Sequence, residues 1–470
     1  MLADGMAEVA MNCRLKNGKL VPLHRPSFLD QNEGTLYLEN NISRIREASS
    51  LYCWKHTLRD GTVRADFLAF PGLVYFTHGN IADDVYDRIF VTGETGVSFV
   101  DQYGSETRNA PCVYLFDRNT EKIIRHPILK DTINAPKVRL EGEPKEDESK
   151  EYAYFYLSWV DEYGYESAAS FPSKNWDGEA FTDEPLQCNA TSTVRFEPVV
   201  IPIGAHGVRV YKSNPGDETA TTQFIKEYSR NELPSLAQGF SLEFNDATAA
   251  ETMPELESPP GDLCDMTFVA GNYYVGRSPS MPHTVLFSDV DLPTSWPTAY
   301  RYDIRDNLVR VAVTANSVFA LTDGFPYVLS GTDPSSMTAT VLAGPAACVS
   351  ERSVVVYRNA VYFASNYGLY AIFDSADSGT VCQCITEKLF TKEQWQALNP
   401  SSCLMAQYDN ALHMFFHAPN GGTYPDTGKR GKAFILDFTE QANILTEHEE
   451  MATCLATDNR TDELYYVREV

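Results

Sequence analysis

Apolar and polar residues alternate in short runs along most of this chain, and the runs come in pairs closed by tight turns. In the second half the turns repeat with asparagine at one position. They are Gly271-Asn272-Tyr273, Ala315-Asn316-Ser317, Arg358-Asn359-Ala360, Asp409-Asn410-Ala411 and Asp458-Asn459-Arg460, and the asparagines stand 44, 43, 51 and 49 residues apart. Asparagine tolerates the left-handed backbone of a two-residue hairpin turn, so each copy predicts two antiparallel strands. A period of 40 to 50 residues is that of a β-propeller blade, a small twisted sheet that buries its faces only by stacking on its neighbours.

The first 133 residues have the same texture with less regular spacing. Strands are predicted at Ala65 to Phe70, Val74 to Thr77, Arg88 to Thr92 and Cys112 to Phe116, with breaks at Gly61, Pro71-Gly72, Gly79-Asn80 and Gly93. The pattern changes at a charged stretch, 137–151, which reads as a solvated linker. A second break is Pro254 to Asp262. Between the breaks, alternation at Tyr152 to Val160, a turn at Asp161-Glu162-Tyr163-Gly164 and a return through Tyr165-Glu166-Ser167 begin a series of about seven strands. Later members are Thr193 to Phe196, Gly207 to Tyr211, Gln223 to Tyr228 and Phe240 to Phe244. That count fits a small β-sandwich of immunoglobulin or fibronectin type. The expected architecture is all-β: a discontinuous β-propeller (1–133 and 259–470) with an inserted sandwich (134–258). One helix is expected, where Thr391-Lys392-Glu393-Gln394 forms a capping box ahead of Trp395 and Leu398. Strands from the two chain ends are expected to complete the ring.

Composition adds limits. The 470 residues carry a formal net charge of −26, which at long range repels nucleic acid and anionic membranes. No apolar run approaches a membrane span. The opening Met1-Leu2-Ala3-Asp4-Gly5 lacks a secretory pattern, so the ten cysteines are expected as free thiols in a soluble protein made inside a cell.

Candidate chemistry is sparse. His413 and His417 share a face of a predicted strand but lie about 13 Å apart at the usual rise, too far for one ion. Cys382 and Cys384 have no second pair of ligands nearby, so no metal is expected. Phosphate-binding glycine loops and a nucleophile elbow are missing from the sequence. Asp289 to Trp296 partly matches the Asp-box of sialidase propellers, with Asp291 and Trp296 in place and Asp289 and Pro293 departing from it. A glycosidase would need two opposed carboxylates, or a tyrosine nucleophile with an arginine cluster. No catalytic residue and no cofactor is expected. The loops that stand out by charge are Asp83, Asp84 and Asp87, and the basic turn Lys429, Arg430 and Lys432 after Gly421-Gly422.

Several phrases resemble the tail nozzle proteins of short-tailed bacteriophages, also called tail tubular protein B, and related packaged-DNA stabilisation proteins. In order they are Asn12-Cys13-Arg14-Leu15, Asp87-Arg88-Ile89-Phe90-Val91-Thr92-Gly93, Tyr163-Gly164-Tyr165-Glu166-Ser167 with Phe171-Pro172-Ser173, and Val208-Arg209-Val210-Tyr211-Lys212. Then come Leu286-Phe287-Ser288-Asp289 leading to Leu292-Pro293-Thr294-Ser295-Trp296-Pro297, Thr322 to Thr338, Cys348 to Ser353 and Tyr367-Gly368-Leu369. The resemblance runs nearly the whole chain and touches turns and packing positions. It implies a virion tail protein assembled in the host cytoplasm. Its expected form is a homo-oligomeric ring, a hexamer, with viral double-stranded DNA passing between subunits. Neighbouring tail adaptor or tubular proteins and tail fibres would be its partners. The two charged loops would narrow the channel, and the acidic surface would limit sticking to phosphate. Alternatives are a head-to-tail connector or stopper, or a propeller that binds or cleaves carbohydrate.

Overall fold

The computed structural model describes residues 11–468 apart from 17–18, 24–25, 28–33, 39–43, 80, 82–83, 101–105, 130–134, 143–149, 190, 214–220, 245–250, 316, 345, 376–378, 439–443 and 459–460. The chain is all-β, and among the described residues its main body is a β-propeller of seven sheets. Blade 1 holds Ser50–Thr57, Val63–Phe70 and, parallel at its outer edge, Gly34–Leu38. Blade 2 runs Val74–His78, Ile89–Gly93, Cys112–Asp117, Lys122–Pro127. Blades 3 to 6 are four-stranded antiparallel meanders starting at Cys264–Val269, Leu308–Val313, Val355–Tyr357 and Leu404–Tyr408. Blade 7 is the hairpin of Ala452–Asp458 with Glu463–Arg468.

Each gap between consecutive blades is filled by its own cluster of buried apolar side chains. Trp54 and Phe70 of blade 1 meet Val91 and Tyr114 of blade 2, and Phe90 meets Tyr274 across the next gap with ring centroids 5.4 Å apart. The ring closes where Cys454, Ala456 and Val467 of blade 7 pack on Leu51, Cys53 and Phe67 of blade 1. Fully burying one such Leu or Phe contributes about 1.5–3 kcal/mol, so these gaps hold the ring together.

The asparagine turns join the innermost and second strands and therefore share one end of the axis. Asn272, Asn359 and Asn410 all take left-handed φ of 60 to 62°, as a turn of this kind demands. Asn316 and Asn459 lie outside the described residues. The turns also tie blades together. Asn359 Oδ1 accepts from the Ala315 amide at 2.9 Å, and Asn410 Oδ1 accepts from Tyr357 Oη at 2.9 Å and Arg358 Nη2 at 3.2 Å.

The N-terminal strands complete the ring as separate blades, with blade 1 beside blade 7. Among the described residues, the two strands of blade 7 pair only with each other. The N-terminal hairpin, Cys13–Lys16 with Lys19–Pro22, instead lies beside blade 6, where the Asn12 amide donates to Glu447 O at 2.9 Å.

Between blades 2 and 3 a sandwich is inserted. One sheet orders Phe181–Thr182, Lys174–Trp176, Lys137–Glu141, Thr193–Phe196, Phe240–Glu243; the other orders Phe155–Val160, Gly207–Ser213, Thr222–Ser229. Phe155, Trp159, Phe196 and Val210 fill the space between them. Two expectations fail here. The stretch read as a linker begins with a strand, because Val138 and Leu140 alternate inward between charged residues and pair with Thr193–Phe196. The run Tyr152 to Val160 is two strands, Glu151–Ala153 and Phe155–Val160, broken at Tyr154 and paired to different partners. The return past Glu166 is no regular strand either. The amides of Trp159, Leu157 and Phe155 donate to the hydroxyls of Ser167, Ser170 and Ser173. Serines three apart thus serve strand residues two apart, leaving one extra residue per step.

Candidate functional site: the axial pocket and the sandwich junction

The innermost strands enclose a pocket of about 590 Å³ on the propeller axis. At the end of the axis opposite the asparagine turns, Arg352 reaches across the bore. Arg352, from blade 5, donates through Nη2 to Ser49 O beside blade 1 and to Thr453 O of blade 7 at 2.8 Å. A guanidinium spanning to the opposite side of the ring floors the bore at this end. Burial lowers its pKa from the ordinary value.

Next to it lies a polar cluster drawn from blades 2 to 5. Tyr75 Oη donates to Glu351 Oε2 at 2.6 Å, and Arg277 Nη2 reaches the same oxygen at 2.5 Å. Arg310 lies 4.4 Å from the centroid of the Tyr75 ring and 3.1 Å from Asp265 Oδ1. Asp265 is fully buried with left-handed φ of 55°, and its Oδ2 accepts from the Val311 amide at 2.6 Å. Burial raises its carboxyl to about 6 against the pull of Arg310 and Arg277. The wall toward the turn end is aromatic: Tyr52 stacks on Phe76 at 4.5 Å, and its hydroxyl meets His78 Nε2 at 2.9 Å. Lys55, which also lines the pocket, pairs with Asp458 at 2.5 Å and Glu463 at 3.0 Å.

A tyrosine beside a glutamate and arginines resembles in kind what cleavage of an acidic sugar requires. The environment here opposes it. Tyr75 is only 5% exposed, and burial pushes its hydroxyl pKa far up, the reverse of an activated nucleophile.

The second feature is the junction of sandwich and propeller. Arg88 of blade 2 is held by Asp84 at 2.6 Å and lies 4.6 Å from the Tyr163 ring centroid and 5.5 Å from that of Tyr165. Glu166, next in the chain, accepts from Tyr211 Oη at 2.7 Å and Arg209 Nη1 at 3.1 Å, and from Ser158 Oγ. Thr294 of blade 3 donates to the Glu166 carbonyl at 3.4 Å. Phrases that the sequence presents far apart, around residues 88, 163–167, 208–212 and 294, therefore meet at one place. Burial raises Asp161 beside them to about 6, although backbone amides and Arg88 act to lower it.

Of the charged loops, Asp83 lies outside the described residues. Asp84 is occupied by Arg88, which holds its carboxyl below the ordinary value despite the opposing effect of burial. Asp87 accepts from Trp54 Nε1 at 3.0 Å and contacts His56 Nδ1 at 3.1 Å. Lys429 pairs with Glu449 at 2.7 Å, Lys432 with Asp426, and the Arg430 carbonyl accepts from the Ala418 amide. The first loop joins strands one and two of its blade and the second joins strands two and three, so they stand at opposite ends of the axis. They do not converge on one opening of this bore. The residues that sequence reasoning missed are Tyr75, Asp265, Arg277, Arg310, Glu351 and Arg352. Only Glu351 and Arg352 lay within a singled-out phrase, and nothing local marks the others.

The remaining motifs are structural. His413 is buried 6.2 Å from the ring of His448, and His417 Nε2 meets Ala452 O at 2.9 Å. Among the described residues no cluster of three metal-ligating side chains occurs. In the Asp-box-like turn, Ser295 Oγ donates to Asp289 at 2.6 Å and Trp296 Nε1 to Pro293 O at 2.9 Å, so it packs a corner of blade 3. The helix Lys392–Ala397 carries the expected capping box, and Trp395 is buried.

No protein-family model matches the chain, and no curated protein matches it in sequence. Among solved structures it is similar to apo AztD from Citrobacter koseri (10% identity over 68% of this chain and 77% of that one, TM-score 0.30). It is also similar to the dihydro-heme d1 dehydrogenase NirN (10%, 91% and 65%, TM-score 0.30) and to PorZ of Porphyromonas gingivalis (11%, 81% and 60%, TM-score 0.28). Likeness at this level carries no functional argument; the strand order given above defines the fold.

Proposed function

We propose that this chain is a structural subunit of a short-tailed bacteriophage tail, a nozzle protein whose copies form a ring, a hexamer, that retains the packaged genome and conducts it during ejection. The observation that carries this reading is the convergence of the resembling phrases at the junction of Arg88, Tyr163, Glu166, Arg209 and Thr294. Their shared work is to set the sandwich against blades 2 and 3, and a ring-forming subunit needs that geometry fixed.

The axial bore supports placing DNA elsewhere. It is floored by Arg352 and far too small for a duplex, so the conduit lies between subunits on the rotation axis. The sandwich has apolar surface to offer a neighbour: Phe171, Trp176 and Tyr152 are all exposed. The reaction class is none; the subunit positions and holds. The test is to locate the chain in intact particles by antibody labelling and electron cryomicroscopy. Density for it around the distal end of the tail fits a nozzle. Density against the portal adaptor fits the connector instead, and absence from particles removes both.

A further inference from the structure

We propose that the axial pocket is a binding site for a small organic oxyanion, a carboxylate or phosphate ester carried on a ring-shaped body, entering from the turn end. The proposal is independent of the tail reading and concerns the inside of a single subunit.

Three observations carry it. First, the pocket's volume of about 590 Å³ lies in the range of ligand sites, and it is floored at one end. Second, one cation of the lining stands apart from the rest. The other cations have acidic partners: Lys55 has Asp458, and Arg310 has Asp265. Arg352 differs. Its contacts are the neutral carbonyls of Ser49 and Thr453, and among the described residues no carboxylate lies within ion-pair distance of it. A guanidinium at the bottom of the pocket whose partners are carbonyls can take one anionic group as a charge-assisted partner. Third, Tyr52 and Phe76 form a stacked, half-buried pair on the pocket wall, a flat apolar face that suits a ring.

Cleavage is not part of the proposal, since the Tyr75 hydroxyl is buried in its contact with Glu351. Holding an anion needs only the fixed donors.

The full chain would be titrated with 4-fluorobenzoate, observed by fluorine NMR, and with phenyl phosphate by calorimetry; 4-fluorobenzamide is the neutral control. The expected result is saturable binding of at least one anion and none of the amide. A response to benzoate alone identifies a carboxylate ligand, to phenyl phosphate alone a phosphate ester, and to both a site that reads charge. Arg352→Gln should weaken binding about tenfold or more, the loss expected for a charge-assisted contact. Should that variant fail to fold, Tyr52→Ala, at the half-buried wall, should weaken binding several-fold while the fold persists. The proposal is overturned if neither anion binds at about 10 mM, if the amide binds as well as the acid, or if folded Arg352→Gln keeps wild-type affinity.

Discussion

Arg14 donates to Asp437 through Nε at 2.9 Å and Nη2 at 2.5 Å, although 423 residues separate them in the chain. Both are almost fully buried, at 5% and 2% exposure, and Arg14 Nη1 also reaches Asp409 at 2.7 Å. The N-terminal hairpin is thereby clasped to blade 6, past the two-stranded blade 7. Asp437→Ala should cost about 3 kcal/mol, because it leaves a buried guanidinium short of its main partner. Replacing both residues, Arg14→Met with Asp437→Leu, should cost clearly less than the two single changes together. Urea unfolding midpoints of the three variants check this.

The pH dependence has two opposed parts. Burial, with the neighbouring His448 and Arg14, depresses His413 to about 3, and burial depresses His448 to about 4. The unfolded chain binds these protons first, so their contribution is present above pH 6.5 and is lost as pH falls. Asp265 and Asp161 are raised to about 6, so their contribution is present below about pH 4 and is lost as pH rises through 6. On going from pH 7 to 5, His448→Gln should therefore lose less stability than wild type, and Asp265→Asn should lose more. Melting temperatures across that range give the answer.

The asparagine turns can be tested by their backbone. Asn410→Gly keeps access to φ of 60° and loses the side-chain contacts to Tyr357 and Arg358. Asn410→Ala loses both, and should be less stable than the glycine variant by about 1 kcal/mol, as judged from chemical denaturation.

These turns also explain what the sequence made legible. A left-handed position favours asparagine or glycine, so the blades with such turns announced themselves. Blade 1 turns at Asp60-Gly61, with Gly61 at φ of 83°, and blade 2 through the longer segment around Asp84 and Arg88, so the first two blades showed as strands and breaks without the asparagine repeat, and the number of blades was not legible. The strand Lys137–Glu141 was masked by its charges. Arg352 bonds carbonyls roughly 100 and 300 residues away, and backbone acceptors leave no residue-type signal. The axial pocket was therefore invisible, while the junction residues were visible only as unconnected phrases.

Docking of the sandwich rests in part on Arg88 against Tyr163 and Tyr165. Arg88→Ala removes a largely desolvated cation from these rings and should weaken docking by about 2 kcal/mol. Calorimetry should then resolve the sandwich from the propeller as two transitions closer to independence than in wild type.

The central claim is that copies of this subunit enclose a conduit which the subunit itself lacks. Native mass spectrometry of the full chain, alone and mixed with the tail adaptor and tubular proteins that the proposal names as its neighbours, measures this directly. The account predicts a closed cyclic assembly of six copies, dependent on the sandwich. A chain that stays monomeric in both samples contradicts it.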